Sequence, residues 1–152
     1  MSPLPDSPVS APVIRQATAA DLDAIRGIQE AAPEAAKWDP ADYLAHHCQV
    51  AAFDHQVAGF LAARRVAEEE TEILNLAVAP RFRRRGLARA LLDNWLKAHP
   101  GRCFLEVRES NLAARRLYEN AGFHVAGRRS EYYRNPPDAA IVMAFQIVIR
   151  SG

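Results

Sequence analysis

The stretch that most constrains this chain runs from Thr71 to Arg108, where an apolar run, a proline, an arginine-rich turn, an amphipathic segment and a second short apolar run follow in succession. Ile73-Leu74-Asn75-Leu76-Ala77-Val78 is almost continuously apolar and stops at Pro80, which predicts a central strand buried on both faces. After Gly86, residues Leu87, Leu91, Leu92, Trp95 and Leu96 recur at helical spacing until Pro100-Gly101 ends the pattern. Cys103 to Arg108 reads as the next strand. A chain that passes directly from strand to helix to strand is neither all-helical nor all-sheet, so the fold class is α/β.

The flanking sequence extends this pattern in both directions. Val13 to Ala17 reads as a strand, and Thr18 with Asp21 three residues on makes an acidic capping box for a helix carrying Leu22, Ile25 and Ile28. That helix must end near Pro33, and Asp39-Pro40 opens a second short helix through Tyr43 and Leu44. Val50 to Phe53, Val57 to Val66 and Thr71 to Ala79 form an antiparallel meander, with a tight turn at Asp54-His55 and a solvated break at Glu68-Glu69-Glu70. Beyond Arg108, Asn111 can cap a helix bearing Ala114, Leu117 and Tyr118, with Gly122 as its left-handed stop. His124 to Tyr133 and Ala139 to Ile149 read as a closing hairpin across Asn135-Pro136-Pro137-Asp138. The order is β-α-α-β-β-β-α-β-α-β-β, one domain over about 12–150 behind a disordered, proline-rich leader over 1–11.

Charge excludes broad classes of partner. Lys+Arg 19 against Asp+Glu 18 gives a net charge of +1, so no global field favours nucleic acid or a membrane surface. Two cysteines, Cys48 and Cys103, build neither a disulfide framework nor a metal quartet, and the five histidines show no ligand spacing with them, so no metal is expected. No apolar run approaches the roughly 20 residues of a spanning helix, and no secretory leader is visible. A soluble cytoplasmic protein, a monomer or weak dimer, is the expectation.

Arg81 to Arg89 holds five arginines in nine residues at the start of a helix. Helix starts present unpaired N–H groups and a partial positive charge, so this turn suits phosphate, and Gly86 and Ala88 keep the backbone approachable. It is neither a dinucleotide fingerprint nor a P-loop, because both glycine patterns are absent. The same residues also fit a solvated arginine run capping a helix. A Cys103–His124 nucleophile pair is conceivable, although a small buried strand residue is the commoner fate of such a cysteine.

The strand Leu74 to Val78 followed by Arg83-x-x-Gly86-x-Ala88 resembles the acetyl-coenzyme A signature of the GCN5-related N-acetyltransferases. Leu105-Glu106-Val107-Arg108-Glu109-Ser110-Asn111, Ala114 and Leu117-Tyr118-Glu119-Asn120-Ala121-Gly122-Phe123 resemble the RimI-type branch, which acetylates protein N-termini, notably of a ribosomal protein. Trp38-Asp39, Arg128-Arg129, Tyr132-Tyr133 and Asp138-Ala139 agree with that branch. The resemblance runs over about residues 12–147.

It implies a mixed sheet of six to seven strands whose two parallel members, the Leu74 and Cys103 strands, splay apart around the cofactor. Backbone of Leu76, Ala77 and Val78 would pair with the pantetheine arm, the turn Arg83, Arg84, Arg85, Gly86, Leu87, Ala88 and Arg89 would hold the pyrophosphate, and Asn111 would touch the same cofactor. Glu106 would be the base, directly or through water, Tyr118 the general acid, and an N–H near Val78 the oxyanion donor. Tyr132, Tyr133 and Arg134 would line the acceptor groove. The implied activity is acetyl transfer from acetyl-coenzyme A to a protein or peptide N-terminal amine. A small amine or a lysine side chain is an alternative acceptor, and a noncatalytic anion- or RNA-binding module is a reading of another class. Ala88 stands where many relatives have glycine, the hairpin loop Arg134-Asn135-Pro136-Pro137 is shorter than the resemblance implies, and Ser130-Glu131 inserts one residue between the Arg-Arg and Tyr-Tyr pairs, which leaves the acceptor less constrained than the donor.

Overall fold

A computed structural model describes residues 11–32, 38–134 and 136–146. The leader residues 1–10, the Pro33 expected to close the first helix, Asn135 of the closing turn and the last residues assigned to the final strand lie outside the described residues.

Seven strands form one sheet in the order β1-β2-β3-β4-β5-β7-β6. They are β1 (Val13–Gln16), β2 (His47–Phe53), β3 (Gln56–Ala67), β4 (Glu70–Val78), β5 (Arg102–Arg108), β6 (His124–Tyr133) and β7 (Asp138–Gln146). Four helices join them, α1 (Leu22–Glu30), α2 (Pro40–Leu44), α3 (Leu87–Ala98) and α4 (Leu112–Asn120). β4 and β5 pair in parallel, linked by α3, and every other neighbouring pair is antiparallel.

Local chemistry sets the boundaries. The Asp21 carboxylate accepts from Thr18 N at 2.8 Å and from both terminal nitrogens of Arg15 at 2.8 Å. A single 3₁₀ turn, Ala19–Asp21, therefore precedes α1. Asp39 caps α2 through Ala41 N, with Pro40 in its first turn. Asp54 and His55 both take positive φ, as a two-residue hairpin turn between β2 and β3 requires.

Each face of the sheet carries a core. Ile25, Ile28, Tyr43, Val50, Phe60 and Ala62 pack beneath α1 and α2. Leu91, Leu92, Trp95, Leu105, Tyr118 and Met143 pack with α3 and α4 on the other face. Removing one such leucine costs about 2–5 kcal/mol, because the hole it leaves closes only in part. Gly59 lets α3 settle against the sheet, since a Cβ there would come within 3.0 Å of the Ala77 carbonyl oxygen and 3.4 Å of Leu91 Cδ1.

One expectation changes. β4 lies at the centre of the sheet, but Leu74, Leu76 and Val78 are only half-buried. Pairing is also irregular here: Asn75 opposes Ala62 and Ile73 opposes Ala63, so Leu74 has no partner on β3. This bulge kinks the strand. Parallel pairing with β5 covers Glu70–Ile73 against Arg102–Leu105 and ends there. Past that point β4 and β5 diverge, leaving a gap at their carboxyl ends.

Candidate active site

Backbone direction defines what the gap offers. Ala79 N donates to the Ala58 carbonyl at 2.7 Å, continuing the ladder with β3. Alternation along an antiparallel strand then turns Ala77 toward β3 as well and turns Leu76 and Val78 toward the gap. Two contacts agree with this: Arg83 Nε donates to the Val78 carbonyl at 3.3 Å, and Leu76 N donates to Asn75 Oδ1 at 2.9 Å. Of the three residues expected to pair with a ligand arm, Leu76 and Val78 turn their backbone to the gap, while Ala77 spends its own on the sheet.

The arginine turn borders one end of this gap. A concavity of about 180 Å³ is lined by Val78, Arg83, Arg84, Gly86, Ala88 and Leu117, among others. The first α3 hydrogen bond runs from Ala90 N to Gly86 O at 3.0 Å, which leaves the N–H groups of Leu87, Ala88 and Arg89 pointing out of the helix start. Gly86 has φ +75°, and a Cβ built on it meets nothing within 4 Å, so its missing side chain leaves open space beside those donors. The arginines divide their tasks. Arg81 and Arg85 lie over the Phe82 ring at 5.0 and 5.4 Å, and Arg89 pairs with Asp93 at 2.9 Å. Among the described residues no ion pair engages Arg83 or Arg84, which therefore offer uncommitted charge to an anion.

A second concavity, about 450 Å³, opens on the opposite face of the gap and is lined by Trp38, Glu72, Leu74, Glu106, Tyr132 and Tyr133, among others. Glu106 sits on β5 just beyond its last pairing with β4, its side chain 19% exposed. Its Oε1 lies 3.4 Å from Arg129 Nη1, so an arginine partner, the feature expected of a merely structural strand carboxylate, is present alongside the cleft position. Opposite, Arg64 Nη2 pairs with Glu72 at 2.6 Å. The Glu106 charge and burial raise the Tyr132 phenol above its usual range.

The inserted residues of β6 shape this cleft. Arg129 opposes Ala140 and Tyr133 opposes Asp138, so Ser130, Glu131 and Tyr132 all face the single residue Ala139, with Glu131 in the left-handed region at φ +54°. The bulge brings Tyr132 and Tyr133 to the cleft. Arg134, grouped with them from the sequence, is exposed beyond the strand and does not line the cleft. The hairpin is tied down. Arg128 Nε donates to Glu109 Oε2 at 2.6 Å, Ser110 Oγ donates to Asp138, and the Arg108 guanidinium lies 4.3 Å over Tyr133.

Tyr118 lies on α4 within the core cluster that also packs Leu76 and Val78, its ring 5.4 Å from Phe123. Burial pushes its phenol well above the usual range, so it stays protonated at any ordinary pH. Asn111 is first of all a helix cap: its Oδ1 accepts from Ala114 N at 3.1 Å, which leaves its amide nitrogen as the group free to point elsewhere. Cys103 is not poised as a nucleophile, because burial pushes its thiol up to about 11 while His124 is exposed on β6. Among the described residues there is no group of three or more potential metal ligands, and no helix is long and apolar enough to cross a membrane.

Sequence reading missed the residues that hold the bulge. Asn75, Gln29 and Tyr43 are buried and bonded to one another from three elements. A signal was present: Asn75 is the one polar residue in the apolar run Ile73–Val78, and a buried amide requires partners.

A sheet with one parallel pair that splays beside a helix start, with a carboxylate on the far side of the opening, is the architecture of an α/β protein that leaves room for an elongated ligand between two strands. The chain belongs to the Acetyltransferase (GNAT) family, whose model matches residues 16–123. It is 41% identical over 100 residues to the [ribosomal protein bS18]-alanine N-acetyltransferase of Salmonella typhimurium, an alignment that covers 62% of this chain and 67% of that protein. It is 40% identical over 78 residues to the N-alpha-acetyltransferase RimI of Mycobacterium tuberculosis, covering 51% of this chain and 49% of that one. The chain thus spans at most about two thirds of these curated relatives. The crystal structure of the ribosomal-protein-S18-alanine N-acetyltransferase from Escherichia coli superposes with a TM-score of 0.79 at 28% identity, over 92% of this chain and 97% of that one.

Proposed function

We propose that this protein transfers an acetyl group from acetyl-coenzyme A to the N-terminal α-amine of a protein or peptide in the cytoplasm, a ribosomal protein being the acceptor class that its relatives' names suggest. The observation that carries the reading is the end of β4–β5 pairing at Ile73 and Leu105, which opens a gap between an anion-receptive turn and a carboxylate-bearing cleft. A cosubstrate with a pyrophosphate, an amide-rich arm and a thioester fits it in that order. The pyrophosphate meets Arg83, Arg84 and the N–H groups at the start of α3, the arm runs along Leu76 and Val78, and Asn111 reaches the same molecule with its free amide nitrogen.

The chemistry follows from what the gap brings together. Glu106 removes a proton from the acceptor ammonium, directly or through a water, giving a neutral amine whose nitrogen attacks the thioester carbonyl carbon. Negative charge gathers on the carbonyl oxygen, where the gap-facing Val78 N–H stabilises it. The tetrahedral species then gives up its second nitrogen proton to water and collapses with cleavage of the C–S bond, and the departing thiolate takes the Tyr118 proton, which the proton released from nitrogen replaces. Burial holds that phenol above its usual range, so it is protonated when the thiolate departs. Trp38, Tyr132 and Tyr133 line the cleft of about 450 Å³ with aromatic surface beyond the reacting amine, and this favours a peptide over a small amine.

Incubation with acetyl-coenzyme A and a panel of peptides with varied N-termini, with thiol release followed over time, tests the proposal. Release that depends on a free peptide α-amine supports it. Release driven equally by small amines, or cofactor binding without any release, contradicts it.

A further inference from the structure

The buried cluster behind the β4 bulge has no part in the chemistry above, yet it touches both sides of the site. Tyr43 of α2 donates its hydroxyl proton to Gln29 Oε1 of α1 at 2.6 Å. Asn75 Nδ2 of β4 lies 3.1 Å from that same Gln29 oxygen and 3.1 Å from the Tyr43 hydroxyl oxygen. Gln29 Nε2 donates to the Trp38 carbonyl, and Asn75 Oδ1 accepts from Leu76 N at 2.9 Å. All three side chains are at least nine-tenths buried. Burial holds the Tyr43 phenol neutral, pushing it up to about 12, so it remains a donor at any pH the protein would meet.

Placement gives the cluster its meaning. Leu74 is the bulged residue, and Asn75 is the next one along. Leu76 N and Val78 N are the amides that alternation turns into the gap, and Asn75 occupies the first of them. The donor left to a ligand on this stretch is then Val78 N–H. At the other end of the cluster, Trp38 is part of the acceptor cleft wall. A closed polar triangle buried in an apolar core has few alternative arrangements, because each unmade bond there leaves a desolvated group without a partner.

We infer that Gln29, Tyr43 and Asn75 are positioning residues that lock the bulge, select Val78 N–H as the gap-facing donor and fix the cleft wall relative to it. The inference rests on the acetyl-coenzyme A reading of the gap. It implies that loosening the triangle weakens donor binding out of proportion to any loss of stability.

The test compares Tyr43→Phe and Asn75→Ala with the parent and with Ile28→Val, a change in the same core cluster whose side chain makes none of the triangle's hydrogen bonds. Melting temperature and acetyl-coenzyme A affinity by calorimetry are measured on each. Tyr43→Phe keeps the ring against Phe60, 5.6 Å away, so it decides the matter if Asn75→Ala does not fold. The expected result is affinity weaker by about tenfold in both triangle variants, the scale of one or two lost hydrogen bonds, with parental affinity in Ile28→Val at a comparable loss of melting temperature. Parental affinity in a folded Tyr43→Phe protein would overturn the inference while leaving the cofactor reading intact. A parent that does not bind acetyl-coenzyme A at all would overturn both.

Discussion

The two flanks of the β4–β5 gap are built in different ways. The donor flank, from Val78 through the arginine turn into α3, is one continuous stretch of chain, and its geometry follows from local rules: a strand that ends at a proline, a glycine at φ +75° and a helix start with free N–H groups. The acceptor flank draws on Trp38 ahead of α2 and on β3, β4, β5 and β6, and its shape depends on two bulges and on ion pairs between strands. A site that is local on one side and assembled on the other should tolerate change differently on its two sides. Substitutions in the turn should weaken donor binding, whereas changes in the cleft should alter which acceptor is used and how well.

The largest expected effect is at the boundary between the flanks. Glu106→Gln keeps the shape but cannot accept a proton, so turnover should fall by about two to four orders of magnitude, with partial recovery at high pH where more acceptor amine is already neutral. Because Arg129 then loses its partner, a variant that turns over at the parental rate would assign Glu106 to the ion pair alone. Next is Gly86→Glu, which places a side chain and a negative charge in the open space beside the α3 start and forces a non-glycine residue into the left-handed region. Acetyl-coenzyme A affinity should drop by about a hundredfold or more in calorimetry, while Gly86→Ala, which adds only backbone strain of about 1 kcal/mol, should lose far less. Tyr118→Phe should lower turnover by about one to three orders of magnitude with little change in donor affinity, and high pH should not restore it.

How legible these two flanks were in the sequence follows from the same contrast. The strand, the helical stripe from Leu87 to Leu96 and the caps at Asp39 and Asn111 all depend on neighbours a few residues away, and each stands where its pattern puts it. The bulge at Leu74 was not legible, because it depends on which β3 residues lie opposite and on Gln29 and Tyr43 reaching Asn75 across 46 and 32 positions of chain. The same holds for the acceptor cleft: Ser130-Glu131 was visible as an insertion, but only pairing against Ala139 turns it into a bulge that carries Tyr132 over Glu106. Arg134 was grouped with the tyrosines by adjacency, and adjacency does not fix which way a residue beyond a strand end points.

Smaller effects sharpen the comparison. Arg129→Ala frees Glu106 and removes a cation lying 5.5 Å over Tyr132. It should change the acceptor KM by about three- to tenfold while the acetyl-coenzyme A KM stays at the parental value, and a shift in the donor KM instead would mean that the flanks are not separable. The smallest kinetic effect belongs to Asp21→Asn. The Arg15 hydrogen bonds hold the Asp21 carboxyl below its ordinary value of 3.8. The stability this contributes is present above that value and is lost as pH falls through the lower folded-state pKa. The variant should therefore melt a few degrees lower at neutral pH, begin to converge on the parent only as pH falls below about 4, and show unchanged kinetics.

The central claim is that the gap joins an acetyl donor to a peptide α-amine. It is tested most directly by mass spectrometry of two peptides offered with acetyl-coenzyme A, identical in sequence and both containing an internal lysine, one with a free N-terminus and the other with that amine blocked. The account predicts a single acetyl group on the α-amine of the free peptide and none on the blocked one. Equal acetylation of the lysine in both, or no acetylation of either under conditions where acetyl-coenzyme A binds, would contradict it.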